Sequence, residues 1–240
     1  MHYRADLHIH TLLSPCGSLE MTPVTIVDRA LAQGLHLIGI TDHNTMRQCR
    51  MVQAVGRERG LTVWCGVEIN TKEEVHCLAF FEKEDQQDAF QMFLDDRLPP
   101  FINNPVKFGD QVWVDRDENI LGQEDRMLIM GLTADINRVA DEVTRLNGIF
   151  IAAHVDRPMY SIISQLGFVD PRLPFDAIEL SARCDRESYL KAHPDLLKYG
   201  IVTSSDAHTP QQIGSGYFEF DAENLSFDAV RRALAFLRRG

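Results

Sequence analysis

The residues of this chain that could do chemistry fall in tight clusters. Asp6-Leu7-His8-Ile9-His10-Thr11 holds two histidines two positions apart. On an extended strand that spacing puts both imidazoles on one face, with Leu7 and Ile9 on the other, so both can bind one cation. Thr41-Asp42-His43-Asn44 sets an acid beside a histidine, and Asp206-Ala207-His208 pairs the same two types again. Glu68 follows a run of apolar residues; a carboxylate can bridge two cations, which a neutral side chain does less well. His154 follows Ala152-Ala153, small residues that leave room for a metal centre. Metal-bound histidines need an outer carboxylate or carbonyl to fix the tautomer, and Asp42 is the candidate for that part. His76 opens a strand and reads, by itself, as a structural histidine.

The elements that must position these residues alternate. Short apolar runs at 4–9, 35–41, 61–69, 75–81, 149–153, 176–181 and 200–204 read as strands. Helical patterns separate them. Thr22-Pro23 opens one, closed by Gly34, and a helix from about 45 stops at Gly60. Others are expected near 85–97, from a Thr133 cap to Asn147, and after Ser226, with arginines in the final turn. Alternation predicts a parallel sheet, and about seven strands in one domain predict a closed or nearly closed barrel. Five of the strands end in metal-ligand residue types, and the C-terminal strand ends form the active face of such barrels. Residues 98–131 break the alternation. They predict a β-hairpin turning near residues 117–119, a lid or cleft wall on a single domain spanning 1–240.

The formal charge of −11 predicts a small phosphorylated substrate and argues against an extended nucleic-acid groove. Bound cations would still reverse the local field inside a cleft. Cys16, Cys49, Cys65, Cys77 and Cys184 form no CxxC pair, which predicts reduced thiols and a cytoplasmic location. No apolar run reaches the ~18 residues that span a bilayer, and the polar first residues are unlike a signal peptide. The oligomeric state is not readable from the sequence.

Taken in order, DLHIHT, GITDHNT, AAHVD and SSDAH resemble the four motifs of the PHP (polymerase and histidinol phosphatase) family. GVEINTKEEVHCL resembles the stretch that supplies that family's bridging Glu and a further His. The matches run from residue 6 to residue 208. The resemblance implies a distorted (β/α)7 TIM-like barrel and a two- or three-metal centre that hydrolyses phosphoesters. It implies one ion on His8, His10, Glu68 and Asp206, a second on Glu68, His76 and His154, and a third on His43 and His208. The third ion usually takes another ligand from the loop after HxH, where this chain has Pro15 in the place of an Asp. Cys16 and Glu20 are the candidates to replace it.

Mixed His and carboxylate ligation suits Zn²⁺, Mn²⁺ or Fe²⁺ without choosing among them. Two such ions ~3.5–4 Å apart can share a hydroxide that attacks phosphorus. The expected substrate is a small phosphomonoester, nucleotide-like or histidinol-phosphate-like. Glu68, Asp206, Arg157 and Asp42 are the expected catalytic residues, with Arg157 as the phosphate fork and Arg183 and Lys72 as further phosphate candidates. Two alternatives stand beside this. One is an amidohydrolase, whose bridging Lys has no match at a strand end here. The other is a metal-stabilised module that is non-catalytic or processes nucleic acid.

Overall fold

Helix starts follow local chemistry. The Thr22 side chain accepts from the Thr25 amide (3.3 Å) and Pro23 occupies the first turn, so the first helix begins where its amides lack partners. A computed structural model describes residues 1–237. In chain order the elements are β1 (His2–Ile9), α1 (Pro23–Ala32), β2 (Leu37–Ile40), α2 (Cys49–Arg59), β3 (Thr62–Asn70), β4 (His76–Phe81), α3 (Glu84–Arg97) and α4 (Pro105–Phe108). There follow β5 (Val112–Val114), β6 (Ile120–Gln123), α5 (Ile136–Arg145), β7 (Ile149–Ala152), α6 (Ile162–Leu166), β8 (Ala177–Ser181), α7 (Arg186–Ala192), β9 (Gly200–Ser204), β10 (Phe218–Asp221) and α8 (Phe227–Phe236). Asp135, not Thr133, caps α5 by accepting from the Arg138 amide. Arg238 and Arg239, the arginines expected at the end of the last helix, lie outside the described residues.

The expected distorted barrel is what forms. Eight strands lie in the order β10-β1-β2-β3-β4-β7-β8-β9. Beyond β9 the chain returns to β1: the His10 amide donates to the Ala207 carbonyl (2.9 Å) and the Ala207 amide to the His8 carbonyl (3.2 Å), which nearly closes the ring. Two features depart from the expectation. β10 is an additional strand, antiparallel to the start of β1, and its alternating buried and exposed residues fit an edge position. β4 runs antiparallel to both β3 and β7, while β1/β2, β2/β3, β7/β8 and β8/β9 are parallel. The cause is the short turn at 71–75, where the Thr71 amide donates to the Val75 carbonyl; so few residues allow a hairpin but no crossover. The consequence is functional. The first residue of β4, His76, pairs with the last of β3, Asn70, and so stands at the same end of the barrel as the other strands' C-termini.

The barrel interior is apolar at its base. Leu7, Leu37, Trp64, Phe80, Ile151, Ala177 and Val202 bring one side chain from each of seven strands into one cluster, closed off by Phe227, Val230 and Leu234 of α8. Ile26, Val52, Phe90 and Val139 of α1, α2, α3 and α5 pack in the other large cluster with the outward side chains of the sheet, such as Ile38 and Val63. Leu7 and Ile9, expected on one face, fall in different clusters. The register between β1 and β2 shifts between Asp6 and Ile9, so two residues of β1 oppose one of β2. Such a bulge re-aims side chains. It lets Leu7 stay in the interior while His8 and His10 also face inward.

Residues 98–131 are tied to the barrel mouth by amides. Asn44 donates to the Leu128 and Met130 carbonyls (2.7 and 2.8 Å), and Asn70 donates to the Ile129 carbonyl (2.9 Å). β5 and β6 pair antiparallel within this segment. Among the described residues no helix is long and apolar enough to cross a membrane.

Candidate metal centre

Glu68 stands at the centre of the barrel mouth, 1% exposed. Its Oε1 lies 3.3 Å from His8 Nε2, 2.7 Å from His76 Nδ1 and 3.0 Å from His154 Nε2. Its Oε2 lies 3.3 Å from His10 Nε2 and 3.1 Å from His43 Nδ1. Each oxygen therefore faces its own group of imidazoles. Asp206 joins from the end of β9, with Oδ1 3.3 Å from His8 Nε2 and 3.2 Å from His10 Nε2. His8, His10, Glu68 and Asp206 offer donor atoms within 4.8 Å of one another, and His43, Glu68 and His76 do the same. His154 (φ 27°) and Asp206 (φ 52°) hold left-handed backbone that L-residues rarely adopt. Strain of that kind costs about 1–3 kcal/mol at each position and collects where side-chain placement matters.

A ring of outer partners fixes the imidazoles. His8 Nδ1 donates to Glu179 Oε1 (3.0 Å), which leaves Nε2 as the inward lone pair. His10 Nδ1 contacts Ser14 Oγ (2.9 Å), and that hydroxyl donates to Asp42 Oδ1 (2.7 Å). With its hydroxyl proton spent on Asp42, Ser14 accepts from Nδ1, so Nε2 of His10 faces inward and is the nitrogen an ion would take in exchange for a proton. Asp42 further accepts from the Thr11 amide and hydroxyl, both at 2.7 Å. It is fully buried and reaches the centre only through Ser14, so it orients and does not meet a substrate. His208 Nδ1 lies 2.8 Å from the Asp206 carbonyl, which again leaves Nε2 free.

The electrostatics are those of a site that balances two buried carboxylates. Burial works against ionisation of Glu68, yet His76, His8 and His43 hold its carboxyl well below the usual range. Asp206 is likewise held low against burial by His8 and His10. His10 is pushed up to about 9, because Asp206 and Glu68 outweigh the cost of burying its charge. Burial, with His10 nearby, brings His208 down to about 4. Protons on imidazoles thus do the work that divalent cations would do in their place. His43 Nδ1, His154 Nδ1, Asp206 Oδ1 and Glu179 Oε2 are buried without a hydrogen-bond partner. Buried polar atoms are almost always paired, so the two that belong to the clustered donors, His43 Nδ1 and Asp206 Oδ1, fit ions.

The centre opens on a cleft of about 810 Å³ lined by Arg157, Arg183, Ser181, Asp206, His208 and Gln212, among others. Arg157 Nη2 lies 2.6 Å from Asp206 Oδ2 and its side chain is 43% exposed, so the fork reaches both centre and solvent. Cys16 is exposed at the surface, and its Sγ lies within 4.8 Å of donor atoms on His10, His43 and His208. Although the residue reaches the surface, loss of water around its Sγ, then the charge of Glu68, pushes the thiol up to about 12. Two candidates are not brought in. Glu20 is exposed and lines a separate groove with Thr22, Thr25 and Arg29. Lys72 is exposed on the β3–β4 turn, with its amide on the Ala134 carbonyl, and does not line the cleft. Sequence reasoning missed Ser14 and Glu179. Glu179 sits within the apolar run of β8, and that placement was the available signal.

A family model described as PHP domain matches residues 6–96, which carry His8, His10, His43, Glu68 and His76, and one described as PHP-associated matches residues 195–238. This chain carries a PHP domain. Among curated proteins, YqxK of Bacillus subtilis is 25% identical over 96% of the chain and 61% of its own length. A 5′-3′ exoribonuclease of Haemophilus influenzae is 35% identical over 31% of the chain and 26% of its own length. The PHP chain thus spans about three fifths or less of these relatives. The lesion-specific endonuclease EndoQ of Pyrococcus furiosus matches with a TM-score of 0.71 at 21% identity, covering 99% of this chain and 56% of that one. Its complex with a 27-mer duplex carrying an abasic lesion at the active site also matches at 0.71, at 20% identity, covering 99% and 57%. The fold is that of PHP-type metal-dependent phosphoesterases and endonucleases.

The duplex complex overturns the expectation of a small substrate and the argument against extended nucleic-acid binding. The reason is physical. A net charge of −11 sums the whole surface and does not describe the local charge of a cleft, where Arg157 and Arg183 stand.

Proposed function

We propose that this chain is a divalent-metal-dependent phosphodiesterase that acts on nucleic-acid strands. Glu68 is the observation that carries this: a buried carboxylate with five imidazoles, those of His8, His10, His43, His76 and His154, within 3.3 Å of its two oxygens. One ion would be held by His8, His10, Glu68 and Asp206, and a second by Glu68, His76 and His154. His43 and His208 would serve a third. Ions held there would supply positive charge against the phosphoryl oxygens and lower the pKa of water in the site.

The chain's own residues bind and orient. Arg157 offers a planar fork to non-bridging oxygens, and Arg183 continues the positive edge along the cleft wall. Glu179 and the Asp42–Ser14 pair hold His8 and His10 in the tautomer that points lone pairs inward. All five cysteines are free thiols, which fits a reducing, cytoplasmic setting.

The test is an end-labelled gel assay with single-stranded RNA, single-stranded DNA and an abasic-site duplex, run with Mn²⁺ or Zn²⁺ beside a chromogenic phosphomonoester. Cleavage of a nucleic-acid backbone that stops with chelator is expected. Metal-loaded protein that leaves every strand intact and hydrolyses only the phosphomonoester contradicts the proposal.

A further inference from the structure

The loop after the two inward histidines carries a donor of a different kind. Cys16 Sγ and one donor atom from each of His10, His43 and His208 lie within 4.8 Å of one another. His10 is already committed, with Nδ1 on Ser14 and Nε2 against Glu68 and Asp206. That leaves Cys16, His43 and His208. His208 has its Nδ1 on the Asp206 carbonyl and so offers Nε2. His43 is only 7% exposed; its Nδ1 lies 3.1 Å from Glu68 Oε2 but makes no hydrogen bond, and its other ring nitrogen carries no such contact.

The loop is built to hold the thiol there. A Cβ on Gly17 would lie 2.3 Å from the Thr11 carbonyl oxygen, so only glycine permits this close approach of the two backbones. The Gly17 amide donates to the Ser14 carbonyl (2.8 Å), and the Ser18 amide donates to the His208 carbonyl (2.8 Å), which pins the loop to the segment bearing its partner histidine. From the other side Gly109 backs onto Pro15, where a Cβ would lie 2.3 Å from the Pro15 carbonyl oxygen.

We propose that Cys16, as a thiolate, joins His43 and His208 in a cation site that selects a thiophilic divalent ion such as Zn²⁺ over Mn²⁺ or Mg²⁺. This rests on the reading of the barrel mouth as a metal centre and adds which ion one part of it takes. Thiolate sulfur favours soft and borderline ions, whereas imidazole and carboxylate alone do not decide. Three protein donors also leave a coordination position open. It would face the cleft that His208 lines.

Cobalt reports the bond directly. The purified full chain, stripped and reloaded with Co²⁺, is read by absorption spectroscopy beside Cys16→Ser and Cys184→Ser. Expected is a near-ultraviolet thiolate-to-cobalt charge-transfer band in the parent and in Cys184→Ser, lost in Cys16→Ser. The visible bands of the remaining cobalt should persist in Cys16→Ser. Cobalt uptake without the charge-transfer band, or a band unchanged in Cys16→Ser, overturns the thiolate site and leaves the metal centre standing. No cobalt uptake by the parent overturns both. Competition with Mn²⁺ gives the second readout: Cys16→Asp should lose the parent's preference for Zn²⁺, and an unchanged preference overturns the selectivity.

Discussion

The two ends of the same barrel solve opposite problems. At the base, Leu37, Trp64, Phe80 and Val202 meet the apolar face of α8, and no charge is needed to fill the space. At the mouth, a few residues further along the same strands, buried histidines surround Glu68 and Asp206. The base is stable because removing apolar surface from water is favourable. The mouth is costly by itself: its carboxylates are kept ionised against burial chiefly by neighbouring imidazoles, two of its residues hold strained backbone, and several of its buried atoms lack partners. The difference teaches that the base supports a mouth assembled for ions rather than for stability.

That contrast can be broken or sharpened at specific positions. The largest effect is expected for Glu68→Gln. It should lower nucleic-acid turnover by at least ~100-fold and release metal together, measured by gel assay and elemental analysis; normal metal content with full turnover would remove Glu68 from the bridging position. Next is the base. Phe80→Ala should cost about 3–5 kcal/mol in denaturant unfolding, while the folded fraction keeps its metal content. Loss of ions from still-folded Phe80→Ala would show that the two ends are not separable. Glu179→Gln should weaken metal affinity by roughly 10- to 100-fold in a chelator competition, through a freer His8 ring, with little change in unfolding. Smallest is Arg157→Ala. One charged hydrogen-bonding group to a phosphate is worth about 1.5 kcal/mol, so kcat/KM should fall roughly tenfold with metal content unchanged.

How far the mouth could be read from residues alone depends on where each residue sits. His8, His10, His43, Glu68, His154 and Asp206 lie at strand ends, and a parallel barrel gathers such ends, so their convergence was legible. His76 opens its strand, and only the resemblance placed it with the others. The antiparallel run of β4 explains why a strand start belongs at that end. The bulge in β1 left no trace in the spacing of His8 and His10, yet it lets both face inward beside Leu7. Ser14 was illegible because it acts through an imidazole whose ring orientation only the folded chain defines, and Glu179, marked by its apolar strand, could not be assigned to His8 for the same reason. Glu20 failed for a related cause: distance along a loop says nothing about which way the loop turns. β10 was within reach, since Phe218-Glu219-Phe220-Asp221 alternates as an edge strand does.

The most direct measurement of the central claim is the number of divalent ions held per chain. Elemental analysis of protein purified without chelator and dialysed against metal-free buffer should find two or more ions per chain. Chelator should remove them together with nucleic-acid cleavage, and Mn²⁺ or Zn²⁺ should restore it. Fewer than one ion per chain, with cleavage intact in chelator, would contradict the account.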